Sequence, residues 1–339
     1  MRFKQKDISK LQQAINQAKT ITIVTHFNPD GDAVGASCAL YHFLNDMNKD
    51  VHVIIPNSVP EGLSFVLDNV RFTIAEKNFQ VSKKRLLTTD LLFILDMSAN
   101  HRSGEALEKV LDALNVNTVI IDHHINAADF GLSFSYPQAS STCEVVWNIL
   151  YRLTNKKIFS KQISTLLYAG ILNDTGSLSY SCNRPELYTV IANLLKSGIK
   201  ANKIHQKIFD NYSYNRLKLL GFAISKKMKV FPEKHAAFIA ISNSELKHYK
   251  YQPGDLEGVV NYCLKLENVH FCALLSERDN KIRMSFRSKD ESIDVNKFAA
   301  KYWNGGGHKM ASGGKSFESL DEVIKKLTLQ IENNEFIVK

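Results

Sequence analysis

The chain has 339 residues, 44% hydrophobic and 23% charged, an ordinary globular composition with length enough for two domains. Its five cysteines are scattered and contain no Cys-x-x-Cys pair, which argues against a disulfide framework and a structural zinc site and points to a reducing compartment. The formal net charge of +9 suits a polyanionic partner such as phosphate or nucleic acid, or simply a basic surface. The N-terminus has no apolar signal core and no segment is long enough to span a bilayer, so a cytoplasmic protein without a membrane partner is expected.

Helical spacing begins at Lys10–Lys19, with Leu11, Ala14, Ile15 and Ala18 on one face. The run Ile21–Thr25 reads as a buried strand. A helix over Ala33–Leu44 follows, with Asp32 placed to cap it. Val51–Ile55, Leu91–Leu95 and Asn117–Ile121 read as further strands, and Glu105–Leu114 as a helix between the last two. Short apolar runs alternating with helices predict a parallel sheet covered on both faces. Helices at Cys143–Leu153, Lys161–Leu172 and Glu186–Leu195 continue this α/β layer, the last ended by Ser197-Gly198. Lys203–Met228 is polar, basic and helix-prone and reads as a connecting helix. The remainder has strands at Ala236–Ile241, His270–Ser276 and Lys281–Arg287, and helices at Leu256–Leu266, Val295–Trp303 and Leu320–Glu332. The fold class expected is α/β, a parallel-sheet domain over residues 1–198, a linker helix over 199–229 and a smaller α+β domain over 230–339.

The strand ends carry the chemistry. His26, Asp30 and Asp32 follow the first strand, Asp96 follows Leu91–Leu95, and Asp122-His123-His124 follows Asn117–Ile121. Asp174 closes an apolar helix, in Asn173-Asp174-Thr175-Gly176. Ligands of open parallel sheets bind at the carboxyl ends of the strands. A lone aspartate there is ordinarily a cap or turn former, and a lone His-His pair is ordinarily surface. Together, these acids would repel one another unless cations neutralise them, and mixed oxygen and imidazole donors suit a catalytic metal site. Asp30 and Asp32, two apart around Gly31, can address different ions, with Asp96 between them to bridge. Two-metal hydrolases hold their ions about 3.5–4 Å apart and activate a hydroxide that attacks phosphorus.

Further candidates lie outside these ends. Arg102, in Asn100-His101-Arg102, could clamp a substrate phosphate or be a solvated loop charge. Ser140-Ser141-Thr142 could present donors to an anion at a helix N-terminus or act as an ordinary N-cap. Gly305, Gly306 and Gly307 precede His308. Three glycines let backbone N–H groups approach a phosphate or base, although such a run is otherwise a flexible loop. Strand alternation gives Arg283, Ser285 and Arg287 a common face, and an arginine can fork onto phosphate.

These blocks resemble the DHH phosphoesterases. The matching residues are His26, Asp30, Asp32 and Gly35, then Asp96, then the triplet Asp122-His123-His124, then Asp174-Thr175-Gly176. Gly305-Gly306-Gly307-His308 is similar to the Gly-Gly-Gly-His box of the DHH-associated substrate domain, and Ile282–Ser288 to the strand that supplies its arginine. Five blocks in order cover nearly the whole chain, and among branches the likeness is greatest to the two-domain NrnA type. The resemblance implies that His26, Asp30 and Asp96 hold one ion, and that Asp32, Asp96, His123 and Asp174 hold the other. It implies that His124 faces the phosphate or leaving oxygen while Asp122 orients a histidine. It also implies two divalent ions, Mn²⁺ first, with Mg²⁺, Co²⁺ or Fe²⁺ compatible.

The expected activity is metal-dependent hydrolysis of short oligoribonucleotides (nanoRNA) to mononucleotides and of 3′-phosphoadenosine-5′-phosphate to AMP. The smaller domain would grip the nucleotide across a cleft, with a hinge near 200–228. The alternatives are a cyclic or linear dinucleotide phosphodiesterase, a polyphosphatase or pyrophosphatase, or a non-catalytic nucleic-acid-binding protein. A homodimer is compatible with the chain, in which no interface is legible.

Overall fold

The computed structural model describes residues 1, 3–124 and 131–338. The chain forms two compact units, Met1–Asn211 and Tyr212–Lys339. The first holds α1 (Gln5–Gln17), β1 (Thr20–Val24), α2 (Gly31–Asn45), β2 (Asp50–Ile55), β3 (Phe72–Ile74), α3 (Phe79–Leu87), β4 (Leu91–Leu95), α4 (Glu105–Asp112), β5 (Asn117–Asp122) and β6 (Leu132–Ser135). The helices α5 (Thr142–Thr154), α6 (Lys161–Asp174), α7 (Pro185–Lys196) and α8 (Ala201–Phe209) complete it.

The strands form one parallel sheet in the order β3-β2-β1-β4-β5-β6. The chain builds outward from β1 through β2 to β3, then returns to the other side of β1 with β4, so the strand order reverses between β1 and β4. That switch point is where such sheets leave a crevice at the carboxyl ends. Strand alternation feeds two cores. Ile21, Ile23, Leu91, Phe93, Leu95, Val119 and Ile121 pack among α1, α2, α5, α6 and α7. Val24, Leu92, Ile94 and Ile120 pack with residues of α3 and α4 on the other face. Strands buried on both faces show continuous apolar runs, which is why Leu91–Leu95 was legible with its observed bounds. Each large side chain withdrawn from water in this way contributes about 1.5–3 kcal/mol.

α2 is buried over almost its whole length. It lies against α6, where a Cβ at Gly35 would come within 2.8 Å of Leu166 O. Its N-cap is Asp30, not the expected Asp32: Asp30 Oδ1 accepts the N–H groups of Asp32 and Ala33, each at 3.0 Å. Both acids are good caps, and local sequence alone does not choose between them. Here the choice frees Asp32 to turn inward.

The second unit begins with α9 (Tyr214–Phe222), whose end winds into a π-helical turn at Ala223–Lys227. Then come β7 (Met228–Phe231), β8 (Ala236–Ile241), α10 (Asn243–His248), β9 (Phe271–Arg278), β10 (Lys281–Ser288), α11 (Val295–Tyr302), β11 (Gly306–His308), β12 (Ala311–Ser316) and α12 (Leu320–Glu332). The sheet order is β11-β12-β10-β9-β8-β7, parallel only between β8 and β9. Phe271, Ala273, Leu275, Ile282, Met284 and Phe286 pack under α11 and α12, while Ala237, Ile239, Cys272 and Leu274 face α9 and α10. The segment 199–229 falls on both sides of the division, with α8 in the first unit and α9 in the second. The helix expected over Leu256–Leu266 is a 3-10 helix at Val259–Lys265, preceded by Gly258 in the left-handed region at φ +77°. Among the described residues no helix is long and apolar enough to cross a membrane.

Candidate metal centre

The sheet's switch point places the acids and histidines. Thr25 Oγ1 donates to Leu95 O at 3.0 Å and ties the ends of β1 and β4 together. His26 follows, nearly buried, and its Nδ1 donates to Phe27 O at 3.0 Å, which fixes the tautomer and turns Nε2 inward. Asp96, just past β4, has a left-handed backbone (φ +56°) and its N–H donates to Ile121 O at 3.0 Å. Aspartate tolerates this region better than most residues, and such strain concentrates at functional sites.

Side chains from five places in the chain then converge. His26 Nε2 lies 3.4 Å from Asp96 Oδ2. His123 Nε2 lies 3.6 Å from Asp96 Oδ1, 3.5 Å from Asp174 Oδ2 and 3.9 Å from Asp32 Oδ2. The two oxygens of Asp96 therefore face two different donor sets. Ligand atoms of His26, Asp30 and Asp96 all fall within 4.8 Å of one another, and so do those of Asp32, Asp96 and His123. His124 Nδ1 donates to Asp122 Oδ1 at 2.7 Å and lies 3.6 Å from Asp96 Oδ1. Asp122 Oδ1 also accepts the N–H groups of His123 and His124, at 2.8 and 3.1 Å.

The electrostatics describe buried carboxylates that repel one another. Burial, and then the charges of Asp96 and Asp174, push the Asp32 carboxyl well above its ordinary range. Burial, and then Asp30 and Asp96, do the same to Asp174. Burial also opposes the charge on Asp96, but a hydrogen bond from His26 and the neighbouring imidazoles outweigh it and hold Asp96 well below the usual carboxylate range. For His26 and His123 burial lowers the pKa, yet the surrounding carboxylates win and raise it. In the protein alone these shifts favour the protonated forms of Asp32, Asp174, His26 and His123. Divalent cations would displace those protons, and the donor set of carboxylate oxygen and imidazole nitrogen fits hard to borderline metals.

Sequence reasoning missed what holds the acids. Asp32 accepts the N–H of Thr142 at Oδ2, 2.6 Å, and of Cys143 at Oδ1, 2.9 Å. The anion bound at the N-terminus of α5 is thus the chain's own Asp32. Ser141 caps α5 through the Glu144 N–H at 3.1 Å, and Ser140 bonds the buried Glu144 carboxylate. Glu144 in turn holds Arg184 at 2.9 Å. An Asp-rich strand end followed far downstream by Ser-Ser-Thr at a helix start was the available signal, but nothing local paired them.

Arg102 is half-buried; its carbonyl accepts the Phe27 N–H at 2.6 Å and its charge opposes that of His26, which puts it beside the first cluster. In the second unit, β10 buries Ile282, Met284 and Phe286 and leaves Arg283, Ser285 and Arg287 on the other face. Antiparallel register aligns Arg287 with Ala311 and Ala311 with His308, and Ser285 with Gly313 and Gly313 with Gly306. Directly opposed residues share a face, so Arg287 and His308 stand on one side of the sheet with Gly306 and Gly313 in the adjacent row. Arg287 Nη1 donates to Phe286 O at 2.9 Å, while Arg283 pairs with Asp279 at 2.8 Å. Gly305 is required by contact: a Cβ there would sit 1.9 Å from Gly313 O. Gly306 and Gly307 are exposed, and the Gly307 N–H donates to Asn296 Oδ1 at 2.8 Å.

Oxygen donors mixed with imidazole at a parallel-sheet switch point suit phosphoryl chemistry, and the protein falls in the phosphoesterase class of hydrolases. It belongs to the DHH family: residues 20–171 match the DHH family, N-terminal domain, and residues 235–333 match the DHHA1 domain. The chain is 27% identical over 303 residues to the probable bifunctional oligoribonuclease and PAP phosphatase NrnA of Streptococcus mutans, covering 88% of this chain and 90% of that one. It is 24% identical to the bifunctional oligoribonuclease and PAP phosphatase NrnA of Bacillus subtilis, covering 96% and 99%. A crystal structure of an exopolyphosphatase-related protein from Bacteroides fragilis matches with a TM-score of 0.92 and 34% identity, over 97% of this chain and 96% of that one.

Proposed function

We propose that this hydrolase of phosphate esters removes mononucleotides from short oligoribonucleotides and converts 3′-phosphoadenosine-5′-phosphate to AMP. Two divalent cations, Mn²⁺ by preference, assist it, one held by His26, Asp30 and Asp96 and the other by Asp32, Asp96, His123 and Asp174. The observation that carries the reading is the division of Asp96, with Oδ2 toward His26 and Oδ1 toward His123. When bound, such cations neutralise phosphate charge and lower the pKa of water so that it serves as the nucleophile at neutral pH. Protein groups do the rest. Asp122 fixes the His124 ring by accepting from Nδ1, so that Nε2 can address a phosphate oxygen or the leaving oxygen. Arg102 neutralises a non-bridging oxygen. Arg287 and His308 hold the nucleotide's other phosphate or base, with the backbone of Gly306 and Gly307 beside them. A cytoplasmic setting suits the five free cysteine thiols.

The substrate choice draws support from the oligoribonuclease and PAP phosphatase names of the relatives. Polyphosphate is the second reading, favoured by the likeness to the exopolyphosphatase-related protein of Bacteroides fragilis. The test is a Mn²⁺-supplemented panel of RNA from two to twenty-four nucleotides, 3′-phosphoadenosine-5′-phosphate, cyclic di-AMP, pyrophosphate and polyphosphate, each with and without chelator. Chelator-sensitive release of mononucleotides from the shortest RNAs and of AMP is expected, and Asp96→Ala should lower both at least about 10²-fold while retaining the fold. Turnover of polyphosphate alone, or near wild-type activity in that variant, overturns the reading.

A further inference from the structure

Thr142 touches two of the acids at once. Its backbone N–H donates to Asp32 Oδ2 at 2.6 Å, and its hydroxyl donates to Asp96 Oδ1 at 2.8 Å. The next amide, of Cys143, donates to the other oxygen of Asp32 at 2.9 Å. Thr142 and Asp32 are wholly buried and Asp96 is 2% exposed, so these contacts are shielded from water. The hydroxyls of Ser140 and Ser141 bond Glu144 and make no such bridge.

We infer that Thr142 is a positioning residue for the paired-cation centre, acting through Asp96. The inference rests on the two-cation reading proposed above. A carboxylate rotates easily about its terminal torsion. Asp96 performs a bridging task only if Oδ2 stays toward His26, 3.4 Å away, while Oδ1 stays toward His123, 3.6 Å away. The Thr142 hydroxyl sets that plane by engaging Oδ1 alone. It occupies one lone pair of Oδ1 and leaves another for a cation. Because the same residue's amide holds Asp32, two of the three acids of the second donor set, Asp32 and Asp96, are fixed by one helix turn. α5 is itself anchored by the Ser141 cap and by the Glu144–Arg184 pair. The arrangement matches a general pattern in which a partner behind a metal-binding side chain fixes its orientation, and loss of that partner weakens metal binding about 10–100-fold.

Thr142→Val keeps the shape and both backbone donors to Asp32 and removes only the bond to Asp96. Thr142→Ser restores the hydroxyl. Thr142→Ala repeats the hydroxyl deletion without the extra methyl, so that a packing failure of the valine variant leaves the question decidable. The measurement is a Mn²⁺ titration of the metal-free proteins by calorimetry, read in parallel by electron paramagnetic resonance. The wild type is expected to take two ions and give the spectrum of a coupled pair. Thr142→Val and Thr142→Ala should weaken the second ion about 10–100-fold and give a spectrum of isolated ions at matched loading. Thr142→Ser should bind as the wild type does. Coupled-pair binding in the hydroxyl-less variants with unchanged affinities overturns the inference, and so does a serine variant as weak as valine. A wild type that takes only one ion, or none, overturns the two-cation reading itself and this inference with it.

Discussion

The side-chain oxygen of Asn173 accepts the N–H of Gly31 at 2.8 Å, across 142 residues of chain. Each of the two residues is a direct neighbour of an acid at the centre, Gly31 of Asp30 and Asp32, Asn173 of Asp174. The end of α6 and the start of α2 are thus interlocked where their carboxylates converge. The approach is tight: a Cβ at Gly31 would lie 2.6 Å from both Cβ and Cγ of Asn173, and only the Cγ overlap is removed by alanine at 173. Gly31→Ala gains up to about 1 kcal/mol of helix propensity. Forcing the overlap costs about 1–3 kcal/mol and displaces both flanking acids. A net loss of stability and weaker Mn²⁺ binding are expected, with part of the stability recovered in Gly31→Ala/Asn173→Ala. A denaturant-based double-mutant cycle measures the coupling. Additive effects of the two changes would contradict the interlock.

Arg287 and His308 should govern binding and leave the chemical step alone. Each single change to alanine is expected to raise KM roughly tenfold with kcat within about twofold, the signature of binding lost equally from ground and transition states. Steady-state kinetics on 3′-phosphoadenosine-5′-phosphate decide it. An unchanged KM in both variants would move the substrate site away from this face of the second unit.

His52, a residue of β2 whose side chain reaches β3, predicts an acid limb in stability. Its Nε2 meets Thr73 Oγ1 at 2.7 Å, and burial, followed by the Arg85 charge, lowers its pKa to about 4 from 6.5. Between those values the unfolded chain binds more protons than the folded one, so stability rises with pH through that window. The contribution is complete above pH 6.5 and is lost progressively as pH falls toward 4. His52→Gln, which can keep the bond to Thr73, should flatten this part of the profile. Urea midpoints at pH 7, 6 and 5 for the two proteins test it, and parallel profiles would refute it.

Glu144 is wholly buried and holds Arg184 and the Ser140 N–H, at 2.9 and 2.8 Å. Removing one partner of a buried pair strands the other; with Arg184 partly exposed, Glu144→Ala should cost about 2–3 kcal/mol in urea denaturation. A loss below about 0.5 kcal/mol would mean that the pair does not anchor the turn before α5.

The chemistry of the centre was legible because its residue types sit at punctuation points of the chain. Apolar runs such as Leu91–Leu95 announce strands buried on both faces, and the acids and histidines that follow them stand at strand ends whatever the packing. The parallel sheet and the strand-end positions of His26, Asp96 and His123 were readable on that basis. Other elements were not. β11 and β12 are rich in glycine and serine, with little strand propensity of their own; β12 is a strand because β10 offers it a partner, and β11 because β12 does. β3 has only three residues, and α3 leaves Val81 and Leu87 exposed, which blurs its periodicity.

By itself the sequence determined which atoms could bind a cation and roughly where along the chain they lie, since side-chain identity and apolar periodicity are local properties. Only the tertiary structure decided that Asp30 rather than Asp32 caps α2, and that Thr142 and Cys143 hold Asp32 from 110 and 111 residues away. It also decided which oxygen of Asp96 faces which imidazole. Those outcomes depend on which donors the packed helices bring within about 3 Å, and hydrogen bonds between distant segments leave no periodic trace in the chain that forms them.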